Sequence, residues 1–130
     1  MNDDAKRWVQ ALRSGKYQQA TGVLYDGNGY CCLGVACDVL GIKFLQDGDG
    51  DFYADILCEY GALCILPPQV RDMLGLRTRS GGSNVELTGS GRTMLTELND
   101  DGVTFPEIAD IIEKYESNLF PEGGGHEDCF

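Results

Sequence analysis

Apolar positions recur at helical spacing along much of this chain, and glycine-rich breaks separate them. Ala5, Trp8, Val9 and Leu12 form one stripe, with Asp3 or Asp4 as the expected cap and Gly15 as the stop. Val23-Leu24-Tyr25, the turn residues Asp26-Gly27-Asn28-Gly29, and then Tyr30 predict a hairpin or tight turn. Leu33, Ala36, Cys37 and Leu40 share a helical face that Gly41 ends. Gly34 weakens that helix by about 1 kcal/mol relative to alanine, so its presence predicts a close backbone approach.

Residues 42–45 and 52–56 read as strands around an acidic turn at 46–51. Pro67-Pro68 opens a short helix through Val70, Met73 and Leu74, stopped by Gly75. Residues 77–92 read as a Gly/Ser/Arg loop with a short strand at 85–87. Thr93 to Leu98 allow a turn or two of helix, broken by Asn99-Asp100-Asp101-Gly102. Thr104 and Glu107 have capping-box spacing, followed by Phe105, Ile108, Ala109, Ile112 and Tyr115 on one face. The sum is a single α+β domain over residues 1–120, with about four helices and a small antiparallel sheet of three to five strands. Residues 121–130 read as a flexible acidic, glycine-rich tail.

Charge narrows the choice of partners. The net charge of −11 disfavours direct binding to nucleic acid or an anionic membrane, and suits a basic protein surface. No apolar run is long enough to span a bilayer, and the acidic start Met1-Asn2-Asp3-Asp4 lacks the pattern of a secretory signal. A cytoplasmic protein is therefore expected, with its six cysteines as free thiols. Basic residues cluster locally: Arg71, Arg77, Arg79 and Arg92 fall within residues 71–92, against only Asp72 and Glu86.

That loop is the leading ligand segment. Arg77, Arg79, Ser80, Thr88, Ser90, Arg92 and Thr93 combine guanidiniums, hydroxyls and flexible glycines, the set that holds phosphates. Asn99, in the Asn99-Asp100-Asp101 cluster, could orient the same ligand, although such clusters more often cap helices and turns. Trp8, Tyr17, Tyr25 and Tyr30 could stack a base. Cys31 and Cys32 near a helix start are candidate nucleophiles, but His126 in the tail is the one histidine, so packing as core thiols is the commoner alternative. Cys58, Cys64, His126 and Cys129 could supply four zinc ligands, without a C-x-x-C knuckle. Asp47, Asp49, Asp51 and Asp55 match calcium-loop positions, yet the loop lacks the required glycine and final glutamate. No cofactor is called for.

The segments Tyr30-Cys31-Cys32-Leu33-Gly34-Val35, Leu66-Pro67, Leu74-Gly75-Leu76, Leu95-Thr96-Glu97-Leu98-Asn99-Asp100 and Phe105-Pro106-Glu107-Ile108-Ala109-Asp110 resemble a family of small uncharacterised phage and prophage proteins. The resemblance covers about residues 5–116 and transfers no catalytic residues. It implies a mobile-element origin, action in the host cytoplasm, and a binding role against a host defence component. The first expectation is sequestration of a small anionic nucleotide signal. The alternatives are an acidic inhibitor of a nucleic-acid-binding host protein, and a cysteine-dependent hydrolase or transferase using Cys31 or Cys32. A homo-oligomer is compatible with each.

Overall fold

The first apolar stripe forms helix α1, Asp3–Arg13, with Ala5, Trp8, Val9 and Leu12 buried. Its cap is Asn2 rather than either aspartate: the Asn2 side chain accepts from the Ala5 N–H at 2.8 Å. Asp3 and Asp4 sit in the first turn instead, where the helix dipole favours negative charge. The computed structural model describes residues 1–55 and 65–121.

Helix α2, Cys32–Val39, begins at an unusual cap, the Cys31 thiol, which accepts from the Gly34 N–H at 3.4 Å. The helix is buried all round from Cys32 to Cys37, and the Leu24 carbonyl approaches the side that Gly34 leaves bare, the close approach that the glycine predicts. The indole N–H of Trp8 donates to the Cys32 carbonyl at 2.8 Å and locks α1 to the start of α2.

Strands β1 (Phe44–Gln46) and β2 (Phe52–Ala54) pair antiparallel, with Phe44 opposite Ala54 and Gln46 opposite Phe52. They are the only strands among the described residues, fewer than the three to five expected. The stretch 85–87 is irregular, with the Leu87 N–H donating to the Arg92 carbonyl at 2.8 Å. The 23–30 hairpin is reduced to single bridges of Tyr30 with Tyr25 and Gln19.

Helix α3 (Pro68–Leu74) ends at Gly75, and α4 spans Leu95–Asp100, taking in Asn99 and Asp100, which were expected to break it. Helix α5 covers Phe105–Lys114 and a final turn, α6, covers Glu116–Leu119. The capping-box pair closes on itself: the Thr104 hydroxyl donates to Glu107 at 2.8 Å, and neither side chain bonds the backbone as the motif predicts. Helix α1 lies against α2, α3 and α5, while α4 bridges α2 and α5. One hydrophobic core results, a small α+β fold with Trp8, Leu33, Leu98 and Ile108 at its centre. No described helix is long and apolar enough to cross a membrane.

Candidate functional site

The arginine loop was expected to be exposed and free for a ligand; its first half is buried structure. The Thr78 hydroxyl accepts from the Gly82 N–H at 2.6 Å and lies 3.2 Å from the Ser80 hydroxyl, and both side chains are buried. Arg77 Nε donates to the Asn118 carbonyl at 3.1 Å, and Arg79 Nε to the Leu66 carbonyl at 2.7 Å. Arg92 is exposed but engaged, forking onto Asp101 at 3.0 and 3.2 Å and reaching Glu97 at 3.3 Å. The Thr88 and Ser90 hydroxyls both donate to the Leu87 carbonyl, and only the exposed Thr93 keeps its side chain clear of the loop's described hydrogen bonds. Even Arg71 is buried against Asp72. These cations therefore hold the chain together rather than converge on a phosphate-sized space.

The arginines therefore differ in what they contribute to stability. Arg79→Ala leaves the Leu66 carbonyl without its guanidinium donor and is expected to lower the melting temperature by several degrees. Arg92→Ala removes only two solvated ion pairs, with Asp101 and Glu97, and is expected to leave it nearly unchanged. Thermal denaturation of both variants checks the contrast.

Asn99 is fully buried. Its Oδ1 accepts from Cys32 N–H at 3.1 Å and from Gln19 Nε2 at 3.0 Å, and its Nδ2 donates to the Ala20 carbonyl at 2.7 Å. Asp100 accepts from Gly22 N–H at 2.8 Å. The pair thus anchors residues 19–22 to the end of α4, and within that segment the Ala20 N–H donates to the Tyr30 carbonyl at 2.8 Å. Asn99 positions other elements and presents nothing to solvent.

The thiols are also internal. Cys32 is fully buried, its Sγ 3.7 Å from the Leu95 carbonyl, and burial pushes its pKa well up. Burial raises Cys37 from 9.0 to about 12. Cys31 is buried and serves as the α2 cap. The histidine that a thiol nucleophile would need, His126, lies outside the described residues, as do Cys58, Cys64 and Cys129 of the zinc reading. We expect iodoacetamide to label Cys32 and Cys37 at neutral pH only as fast as the fold opens. Both folded pKa values lie above the unfolded ones, so the neutral thiols favour the fold below about pH 9 and that advantage fades as pH rises through the folded values. Urea unfolding at stepped alkaline pH reads the loss.

The calcium reading fares no better. Asp47 Oδ1 accepts from the Asp49 and Asp51 N–H groups at 2.9 and 3.0 Å, so it shapes the β1–β2 turn. Among the described residues no three His, Cys, Asp or Glu side chains are grouped to hold a metal ion.

What the fold does assemble is an aromatic cluster with an acidic border. Tyr25 lies 4.6 Å from Tyr30, 5.2 Å from Phe44 and 4.9 Å from Phe52, centroid to centroid, and Tyr17 meets Tyr30 edge-on at 5.4 Å. Trp8, fully buried, is unavailable to it. Two loops create the cluster. Asp26 Oδ1 accepts from the Asn28 and Gly29 N–H groups at 2.8 and 2.7 Å, which fixes the 26–29 turn and lowers the Asp26 pKa. The turn then folds onto the hairpin at Gly27, where an added Cβ would lie 3.0 Å from the Phe52 ring. The Tyr17 hydroxyl donates to Asp38 at 2.5 Å; burial first, then this bond, raises the tyrosine pKa to about 12.

An open groove of about 450 Å³ runs along the cluster between Tyr25, Tyr30, Asp38 and Phe44. Across residues 17–55 the sequence carries six aspartates, all exposed, and a single lysine, Lys43. Sequence reasoning found Tyr17, Tyr25 and Tyr30 but missed Phe44, Phe52 and Asp38. The available signal was the run of aspartates interleaved with aromatics between residues 25 and 55.

A family model described as Domain of unknown function (DUF8296) matches residues 1–116. The chain belongs to this family. No curated protein and no solved structure matches it. The DUF8296 span includes every element from α1 to α5 and the whole aromatic cluster, so that face falls within the domain.

Proposed function

We propose that this chain is a non-enzymatic binding protein that occupies a basic surface on a partner protein, in the manner of a phage-type antagonist of a host component. One observation carries the reading: the half-buried aromatic cluster lines a groove within a segment of six exposed aspartates and one lysine. Aromatic side chains anchor protein interfaces, while surrounding charge steers encounter and rejects partners of like sign. Capture of a small anionic nucleotide finds less support, because Arg77, Arg79 and Arg92 are engaged with carbonyls and carboxylates of the fold.

The test is affinity capture from a bacterial lysate with the wild-type chain, an Asp47→Asn/Asp49→Asn/Asp51→Asn variant and Arg92→Ala. Asparagine retains an oxygen for the turn bonds that Asp47 accepts, so the hairpin survives. A basic protein held by the wild type and by Arg92→Ala, released by moderate salt and lost from the aspartate variant, supports the reading. A nucleotide recovered from heat-treated wild-type protein and lost in Arg92→Ala contradicts it.

A further inference from the structure

The ring of Tyr25 separates two grooves of different character. The 450 Å³ groove described above contains its own cation, Lys43. The second, about 210 Å³, is lined by Val23, Tyr25, Asp26, Gly50, Asp51 and Phe52, with two carboxylates, two aromatic rings and no basic residue. We propose that this second groove receives the guanidinium of an arginine side chain from the partner, a subsite that rests on the basic-partner reading above.

The space suits one long side chain rather than a nucleotide. Tyr25 and Phe52 meet at 73°, so their rings form two walls of a corner. A planar guanidinium stacks on such a wall and forks its N–H donors onto a carboxylate, which a lysine ammonium cannot do in the same geometry. Both turn bonds to Asp26 fall on Oδ1, and no described residue bonds Oδ2. The Asp51 backbone closes the hairpin turn, and its carboxylate makes no hydrogen bond among the described residues. Asp26 is held ionised by its two N–H donors, so the groove stays anionic well below neutral pH. The Gly27–Phe52 contact fixes the corner, because it pins the turn that bears Asp26 to the strand that bears Phe52.

The test uses capped Gly-Arg-Gly-Arg-Gly, Gly-Lys-Gly-Lys-Gly and Gly-Gln-Gly-Gln-Gly peptides, titrated into the full chain and followed by amide NMR shifts. Asp51→Asn, Phe52→Leu and Asp38→Asn are compared with wild type, and Asp3→Asn on α1 serves as a charge-matched control. The expected result is that the arginine peptide moves Val23, Tyr25, Asp51 and Phe52, binds more tightly than the lysine peptide, and weakens about tenfold in Asp51→Asn and in Phe52→Leu. Asp51→Asn carries the test if Phe52→Leu fails to fold. Equal binding of the lysine peptide overturns the guanidinium assignment. Shifts centred on Tyr30, Ile42 and Phe44, with the loss in Asp38→Asn, overturn this subsite and leave the basic-partner reading standing. If neither basic peptide moves any resonance in residues 17–55, both fall.

Discussion

Gly34→Ala is expected to prevent folding. Its Cβ would stand 1.9 Å from the Leu24 carbonyl oxygen and 2.8 Å from the carbonyl carbon. That carbonyl cannot swing away, because it accepts the Cys31 N–H at 3.0 Å at the start of α2. The obstacle is backbone on both sides, inside a helix buried all round, so no rotamer change relieves it. The cost should be about 4 kcal/mol or more, a large part of the stability of a domain this size. Circular dichroism and urea titration read the result. A variant that melts within a few degrees of wild type would mean that α2 does not pack on the Leu24 segment in this way.

Asn99→Leu is expected to have the next largest effect. Leucine fits the volume but leaves the Cys32 N–H and the Ala20 carbonyl without partners in a fully buried site, and Gln19 loses one of its two acceptors. Stranding buried groups costs more than an ordinary hydrogen bond contributes, so about 3–5 kcal/mol should be lost. The loss should also reach the aromatic cluster, since Gln18 and Ala20, on either side of Gln19, hold Tyr30 through backbone bonds. Near-ultraviolet dichroism of the tyrosines should therefore weaken in this variant even where the helices persist. Unchanged tyrosine signals would show that Asn99 does not support that face.

The contrast between these two positions shows what the sequence could disclose. Gly34 was readable as a close approach because a glycine inside a helical pattern has a local cost that demands a reason. The α1 stripe, the Pro68 helix start and the 26–29 turn were readable for the same cause: spacing, caps and turn chemistry act over a few residues. Asn99 was ambiguous, since a polar residue among apolar ones marks a buried knot as readily as a ligand site. The arginine loop misled because its partners are distant in sequence. Arg79 reaches Leu66 and Arg77 reaches Asn118, and neither contact leaves a periodic trace. The aromatic face was half visible, its tyrosines in view but not the hairpin phenylalanines that complete it. The two sets come together only in the tertiary fold, where Tyr25 packs on both Phe44 and Phe52 of the hairpin.

Amide hydrogen exchange on the chain, alone and bound to the basic partner it captures, distinguishes the aromatic face from the arginine loop as the binding surface. New protection is expected within residues 17–55, strongest at the 23–30 turn and along β1 and β2, with exchange in residues 77–93 unchanged. Protection confined to residues 77–93, with 17–55 exchanging as in the free chain, would contradict that expectation and return the arginine loop to the role of binding surface.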